Sequence, residues 1–316
     1  MLKLIARRLA QMLLIMMTVT LILFAIFDSG QFKRRLAVSE LGGFGVSMLS
    51  EADYQGWLER KGLNKPFFER YVEWIGNVSQ GNLGRSVEKN ADVSTLLSER
   101  LRNSAILALA VLAIMIPLSL ALGVLAGMDE GSLLDRVISF GAVVSTSIPQ
   151  IATAVLLTVT LALGLRWIPA KSAMIDGFDF RQLILPVLTL LIYDIGYVVR
   201  MTRASMAEVM TSHYIRTAVL KGLPYRRVIL RHALRNALIV PFTLIFLQLN
   251  WLLSEVVVVE VFFQYNGFGR MLYDAAIFGD VEVVQAATLV AVGVAVVSQL
   301  FSDIGYVLLN PRVRFV

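Results

Sequence analysis

Residues 137–165 form a run of 29 positions without one charged side chain. About 20 apolar residues in a helix are enough to cross the hydrocarbon core of a bilayer. In lipid the backbone must satisfy its own hydrogen bonds, so such a run is constrained to be helical. Five more segments read as spans: 9–27 and 104–128, also uncharged, and 182–199, 236–259 and 283–311, which hold Asp194, Glu255 and Asp303 in turn. Pro117 and Pro149 lie inside two of the six runs, which membrane helices tolerate where neighbours satisfy the freed carbonyls. Only 16% of the chain is charged, well below the quarter or so of soluble domains. The sequence therefore predicts an all-α integral membrane protein with six transmembrane helices in one membrane domain. The first run is read as a retained span, because no small-residue cleavage site follows it.

Between the first two runs lies the one sizeable polar segment, residues 28–103, with eleven Lys/Arg and ten Asp/Glu. Its apolar residues (Tyr54, Trp57, Leu58, Phe67, Phe68, Tyr71, Trp74, Ile75) are expected to form one small packed face, with Gly62, Pro66, Gly81 and Gly84 dividing it into short helices and turns. A segment this long does not count in the positive-inside rule. The short connections do count. With the N-terminus inside, the cytoplasmic pieces 1–8, 129–136, 200–235 and 312–316 hold fourteen Lys/Arg, against four in the outer loops 166–181 and 262–282. Both termini are thus placed in the cytoplasm, and 28–103 outside. The net charge of +6 belongs to these membrane-flanking loops and does not point to nucleic acid; it suits anionic lipid headgroups.

The stretch 200–237 concentrates the basic charge, with eight Lys/Arg and one acid, Glu208. Within it Ile215, Ala218 and Val219 recur at helical spacing. A short water-exposed helix with an apolar stripe suits a groove on another protein. Elsewhere the sequence is silent about chemistry. It has no G-x-x-x-x-G-K-[ST], no H-E-x-x-H, no G-x-S-x-G and no cysteine, so it offers no nucleotide loop and no nucleophile of its own, and no cofactor or metal site is assigned. His213 and His232 lie in the basic stretch with no carboxylate or thiol to complete a metal site.

The stretch Y-I-R-T-A-V-L-K-G-L (214–223) followed by R-R-V-I-L-R-H-A-L-R-N-A-L (226–238) resembles the EAA-type cytoplasmic loop of ATP-binding-cassette (ABC) importer permeases, in the version of the dipeptide/oligopeptide/nickel family. Arg216, Thr217 and Ala218 occupy the positions that give that loop its name, and Gly222 its glycine. Further motifs follow along the chain: Gly62-Leu63-Asn64-Lys65-Pro66, Gly81-Asn82-Leu83-Gly84-Arg85-Ser86, Asp135-Arg136, Ser147-Ile148-Pro149, Trp167-Ile168-Pro169, Gly267-Phe268-Gly269-Arg270, Asp303 and Asn310-Pro311-Arg312. The resemblance implies the type I importer permease fold and a bacterial inner-membrane location. It also implies a heterodimer with a sister permease, two cytoplasmic ABC ATPases and an extracytoplasmic solute-binding protein. The residues it assigns to ATPase coupling are Tyr214, Ile215, Arg216, Thr217, Ala218, Leu220, Lys221 and Gly222. The chain departs from the family pattern at 27–30, where R-x-x-P-G-D-P is absent, at Asn266 in place of proline, and at Glu255 in place of a small glycine.

Four carboxylates fall within or at the ends of the apolar runs. Glu260 and Asp303 fit family positions and are expected to be structural. Asp194 and Glu255 are expected to line the translocation pathway and favour cationic substrate groups, since a carboxylate at depth must face protein or water. An alternative class, a proton-coupled secondary transporter working through Asp194 and Glu255, would show internal repeats; none is evident, and it would leave the basic loop without a purpose.

Overall fold

A computed structural model describes residues 2–48, 50–174 and 177–309. The elements are α1 (Leu2–Asp28), α2 (Gly30–Met48), α3 (Glu51–Arg60), α4 (Phe67–Ser79), α5 (Val93–Met128), α6 (Leu133–Ser147), α7 (Gln150–Leu157), α8 (Phe180–Met210), α9 (His213–Leu220), α10 (Tyr225–Arg227), α11 (Leu234–Ala237), α12 (Ile239–Phe263), α13 (Phe268–Phe278) and α14 (Val281–Leu309). π-Helical segments Thr158–Gly164 and Val228–Ala233 continue α7 and α10. The one extended pairing among the described residues is a bridge between Arg85 and Asp92.

Among the described residues four stretches are long and apolar enough to cross a membrane: Ala10–Asp28, Val93–Met128, Phe180–Met210 and Val281–Gly305. The count reaches six when each of two bent pairs makes one crossing. The 29-residue run is one of these pairs and not the single helix expected of it. It breaks by 102° between Leu133–Ser147 and Gln150–Gly164. Proline disfavours helical backbone in the residue before it, and Ile148, ahead of Pro149, is extended (φ −88°, ψ 125°). The second pair, Tyr225–Ala237 and Ile239–Gln248, bends by 46°. Pro117 leaves α5 continuous. The tail motif at 310–314 lies outside the described residues.

The chain divides into two compact units, Met1–Asn103 with Gly267–Val297, and Ser104–Asn266 with Ser298–Val316. The boundary falls at 103/104, and residues 267–297 group with residues 1–103.

In the first unit the aromatic residues form two groups, not one face. Trp57 and Leu58 are buried with Ala37. Phe67, Tyr71 and Trp74 pack around Phe24 of α1, with centroids 5.9, 5.5 and 5.9 Å from its ring. Phe68 points to the surface. Gly62, Gly81 and Gly84 all sit at positive φ, as turns between short helices require. The Gly84-Arg85-Ser86 motif clips the segment to the start of α14. The Ser86 hydroxyl donates to Asp280 Oδ2 at 2.5 Å, and the Arg85 N–H donates to Glu282 Oε2 at 2.6 Å. Asp28, where the family motif is missing, pairs with Lys33 at 2.7 Å and with Arg70.

In the second unit α8 is the central helix, buried along most of its length. Leu183, Leu185, Val187 and Leu190 pack with Leu107, Val111, Ala154, Leu252 and Val256. Leu191 and Val198 pack with Met115 and Ile245. Lipid tails are as apolar as leucine, so such helices associate through close approach at small residues. Gly196 is such a position, where an added Cβ would lie 2.1 Å from Ser145 Oγ and 2.4 Å from the Ala142 carbonyl oxygen on α6.

Candidate functional site: the coupling helix and the buried carboxyl pair

The 200–237 stretch folds into the end of α8, the short helix α9 and a return through α10, a π-segment and α11. Ser212 stands at the N-cap of α9 with extended backbone (φ −69°, ψ 149°). The helix ends in a Schellman turn. The Leu223 N–H donates to the Ala218 carbonyl at 3.4 Å and the Gly222 N–H to the Val219 carbonyl at 2.9 Å. Such a turn needs a left-handed residue, and Gly222 supplies it at φ 72°.

Of the apolar stripe of α9 only Val219 is exposed. Ile215 and Ala218 are buried against Met206, Val228, Ile229, Ala233 and Ala237 of the same chain. Burying an isoleucine side chain is worth about 1.5–3 kcal/mol, so the stripe anchors α9 to its own loop. What faces outward is Tyr214, Arg216, Thr217, Val219, Leu220, Lys221 and Gly222. Leu220 stands out, at 79% exposure. Tyr214 is held by the Asn236 side-chain amide, which donates to its hydroxyl at 2.9 Å. The eight residues assigned from sequence therefore divide in two. Ile215 and Ala218 hold the helix, while the other six present a surface with one apolar knob beside basic side chains. Among the described residues no group of three His, Asp or Glu comes together to hold a metal ion.

Asp194 of α8 and Glu255 of α12 do meet. Asp194 is 1% exposed, and the Gln248 amide donates to its Oδ1 at 2.5 Å. The Glu255 carboxyl lies against that of Asp194. Asp194 Oδ2 and Glu255 Oε2 are buried without a hydrogen-bond partner. Neither apolar run carries a basic residue of its own. Glu255 itself is only half-buried, next to exposed Ser254 and Val258. The other two carboxylates sit in different surroundings. Glu260 is fully buried and accepts from the Ser104 hydroxyl, and Asp303 accepts from the Gln299 amide at 3.1 Å. Asn266, in place of the family proline, donates to the Ala173 carbonyl at 2.7 Å.

Two further features escaped the reading of the sequence. Gly123 and Gly127 of α5 lie directly on α8. A Cβ on Gly123 would come within 2.4 Å of Thr202 Cβ, and one on Gly127 within 2.5 Å of the Arg203 carbonyl oxygen. Their G-x-x-x-G spacing was the available signal. The second is a closed carboxylate site at the start of α6. Arg203 of α8 donates from Nε to Asp135 Oδ1 at 2.9 Å and from a terminal nitrogen to Oδ2 at 2.8 Å. The Gly131 N–H and the Ser139 hydroxyl add bonds of 2.9 and 3.0 Å. The sequence showed Asp135 as part of a motif, but nothing in it singles out Arg203 from seven other basic residues nearby.

Among the described residues four stretches, or six if each bent pair makes one crossing, can span a membrane, and the most buried of them, α8, leads into the short glycine-terminated helix α9. Residues 119–315 match the family model described as "binding-protein-dependent transport system inner membrane component", and the chain belongs to that family of multi-pass membrane permeases. It is similar to the oligopeptide transport system permease protein AppB of Bacillus subtilis (strain 168), with 33% identity over 84% of this chain and 87% of the relative. It is also similar to the di/tripeptide transport system permease protein DppB of Pseudomonas aeruginosa (strain UCBPP-PA14), with 32% identity over 81% and 84%. A probable peptide ABC transporter permease, y4tP of Sinorhizobium fredii, is 32% identical over 81% and 83%. Membership decides between the two transport classes left open by the sequence: the chain is a permease subunit of an ABC importer.

Proposed function

We propose that this chain forms half of the translocation pathway for peptides or a similar small solute, opposite a sister permease. Two cytoplasmic ABC ATPases drive it and an extracytoplasmic solute-binding protein loads it, in a bacterial inner membrane with both termini cytoplasmic. The observation that carries this reading is the outward face of α9, Tyr214, Arg216, Thr217, Leu220, Lys221 and Gly222, on a helix fixed to its own chain by Ile215 and Ala218. A helix docked in an ATPase groove transmits ATPase closure as rigid-body movement of the spans. It does so because the docked helix favours different pore states when the ATPases are open and closed. Purification from the native membrane through a C-terminal tag, with mass spectrometry of what co-purifies, tests the assembly. A second permease and P-loop ATPases are expected; a lone chain or a homodimer overturns it. Leu220→Asp is expected to release the ATPases while leaving the chain in the membrane.

The Asp194–Glu255 pair is proposed to line the pathway and to receive cationic groups of the solute. What supports this is two carboxyls set against each other, each with one buried oxygen that has no hydrogen-bond partner; a charged carboxylate at a bilayer centre costs roughly 2.5–3.5 kcal/mol. Asp194→Asn and Glu255→Gln are expected to lower uptake of a positively charged peptide about tenfold, the equivalent of ~1.4 kcal/mol, and to spare a neutral one. Unchanged uptake of the charged peptide in both variants sinks the assignment.

A further inference from the structure

We infer that Asp135 and Arg203 form a clamp that makes α6 move with α8 when the coupling helix moves. They are positioning residues for transport, not parts of the pathway. The inference rests on the docking of α9 proposed above, and on geometry independent of it.

Arg203 sits about two turns before the end of α8, near the part of the helix that carries Met206 into the α9 core. Whatever displaces α9 therefore displaces this part of α8. Two contacts pass the displacement on. The first is the close seating of Gly123 and Gly127 of α5 on Val199, Thr202, Arg203 and Met206. Val124 and Met128 of α5 also pack against the α9 core, and the Tyr225 hydroxyl donates to the Met128 carbonyl at 3.3 Å. The second is the clamp to α6. Its carboxylate is held by both prongs of the guanidinium, by a backbone N–H and by a hydroxyl, and the Asp135 side chain is 4% exposed. Glu130 adds a second carboxylate to Arg203 at 3.2 Å. A two-pronged guanidinium–carboxylate pair fixes orientation as well as distance. The start of α6 is tied to this carboxylate through the Gly131 N–H and the Ser139 hydroxyl, and Ser132 caps its first turn by accepting from the Asp135 N–H at 3.1 Å.

Further along, α6 ends at the 102° break into α7, after Gly196 of α8 has again brought the two helices together. A push on α9 thus reaches the break through α8 and α6 as one piece. Besides the clamp, α6 meets α8 at the close approach of Gly196, a van der Waals contact along which helices can slide.

The test uses the full complex, purified from its native membrane and reconstituted. The chain has no cysteine, so cysteines placed at exposed Leu133 and Ala204 are its only labelling sites. Their spin-label separation is read without nucleotide and with ATP trapped. The clamp predicts the same separation in both states. A shift approaching one helical turn, about 5.4 Å, in the otherwise unmodified complex overturns it. Transport and ATP hydrolysis are measured in parallel. Arg203→Lys keeps the charge but not the fork. It is expected to retain ATP hydrolysis and to lose about tenfold in solute moved per ATP, within the range of a single coupling contact; Asp135→Asn is expected to do the same. Wild-type solute per ATP in Arg203→Lys overturns the clamp, because a role in charge or topology alone would be served by lysine. Leu220→Asp run alongside reports on docking separately. If it leaves transport intact, docking has failed, whereas the label separation still judges the clamp.

Discussion

At the scale of single residues, Gly222 shows how little side-chain space has to do with its role. An added Cβ would meet nothing within 4 Å, so the demand comes only from the backbone at φ 72°. Left-handed helical backbone costs an L residue roughly 1–2 kcal/mol. Gly222→Val is therefore expected to leave the amount of chain in the membrane near wild type and to abolish uptake, because the turn that ends α9 is remade. Gly222→Asn, which tolerates this conformation, is expected to keep most uptake. Immunoblots and vesicle uptake check both, and robust uptake by the valine variant counts against α9 as a coupling element.

The same argument changes form at the scale of elements, where glycines matter for the space they leave. On α5, Gly123 and Gly127 allow two helices to touch backbone to backbone, and a side chain at either position has to force them apart. Overpacking of this kind typically costs 1–3 kcal/mol. Gly127→Leu is expected to lower the melting temperature of the detergent-solubilised complex by roughly 5 °C. Gly141→Ala is the control: it lies on α6 at ordinary helical φ with nothing within 4 Å of an added Cβ. It is expected to leave the melting temperature unchanged, or to raise it slightly through helix propensity. Equal effects of the two would refute the close seating of α5 on α8. The broken α6–α7 run belongs to this scale too. Hydropathy sums over 29 residues and cannot see a bend, whereas the local constraint of Ile148-Pro149 sets one.

At the scale of the whole molecule, the proposed orientation rests on the distribution of Lys and Arg between short loops. It predicts that a cysteine at Val87, exposed in the outer segment, reacts with a membrane-impermeant maleimide on intact cells. A cysteine at Leu220, exposed on α9, is expected to react only after permeabilisation. The reverse pattern would invert the topology and remove α9 from the reach of the ATPases.

The helical membrane class and the place of the short glycine-terminated helix α9 were legible in the sequence. Apolar run length, charge placement and a glycine after an amphipathic stretch are local properties with local consequences. The direction of the α9 stripe was not, because Ile215 and Ala218 choose between a partner's groove and their own loop only once Val228, Ile229 and Ala233 are folded beneath them. The pairing of Asp194 with Glu255, and of Asp135 with Arg203, joins residues 61 and 68 positions apart on different helices. Residue types at such separations carry no signal of distance. Only the packing of α6 and α12 on α8, set by where small residues let backbones approach, decides which charges meet.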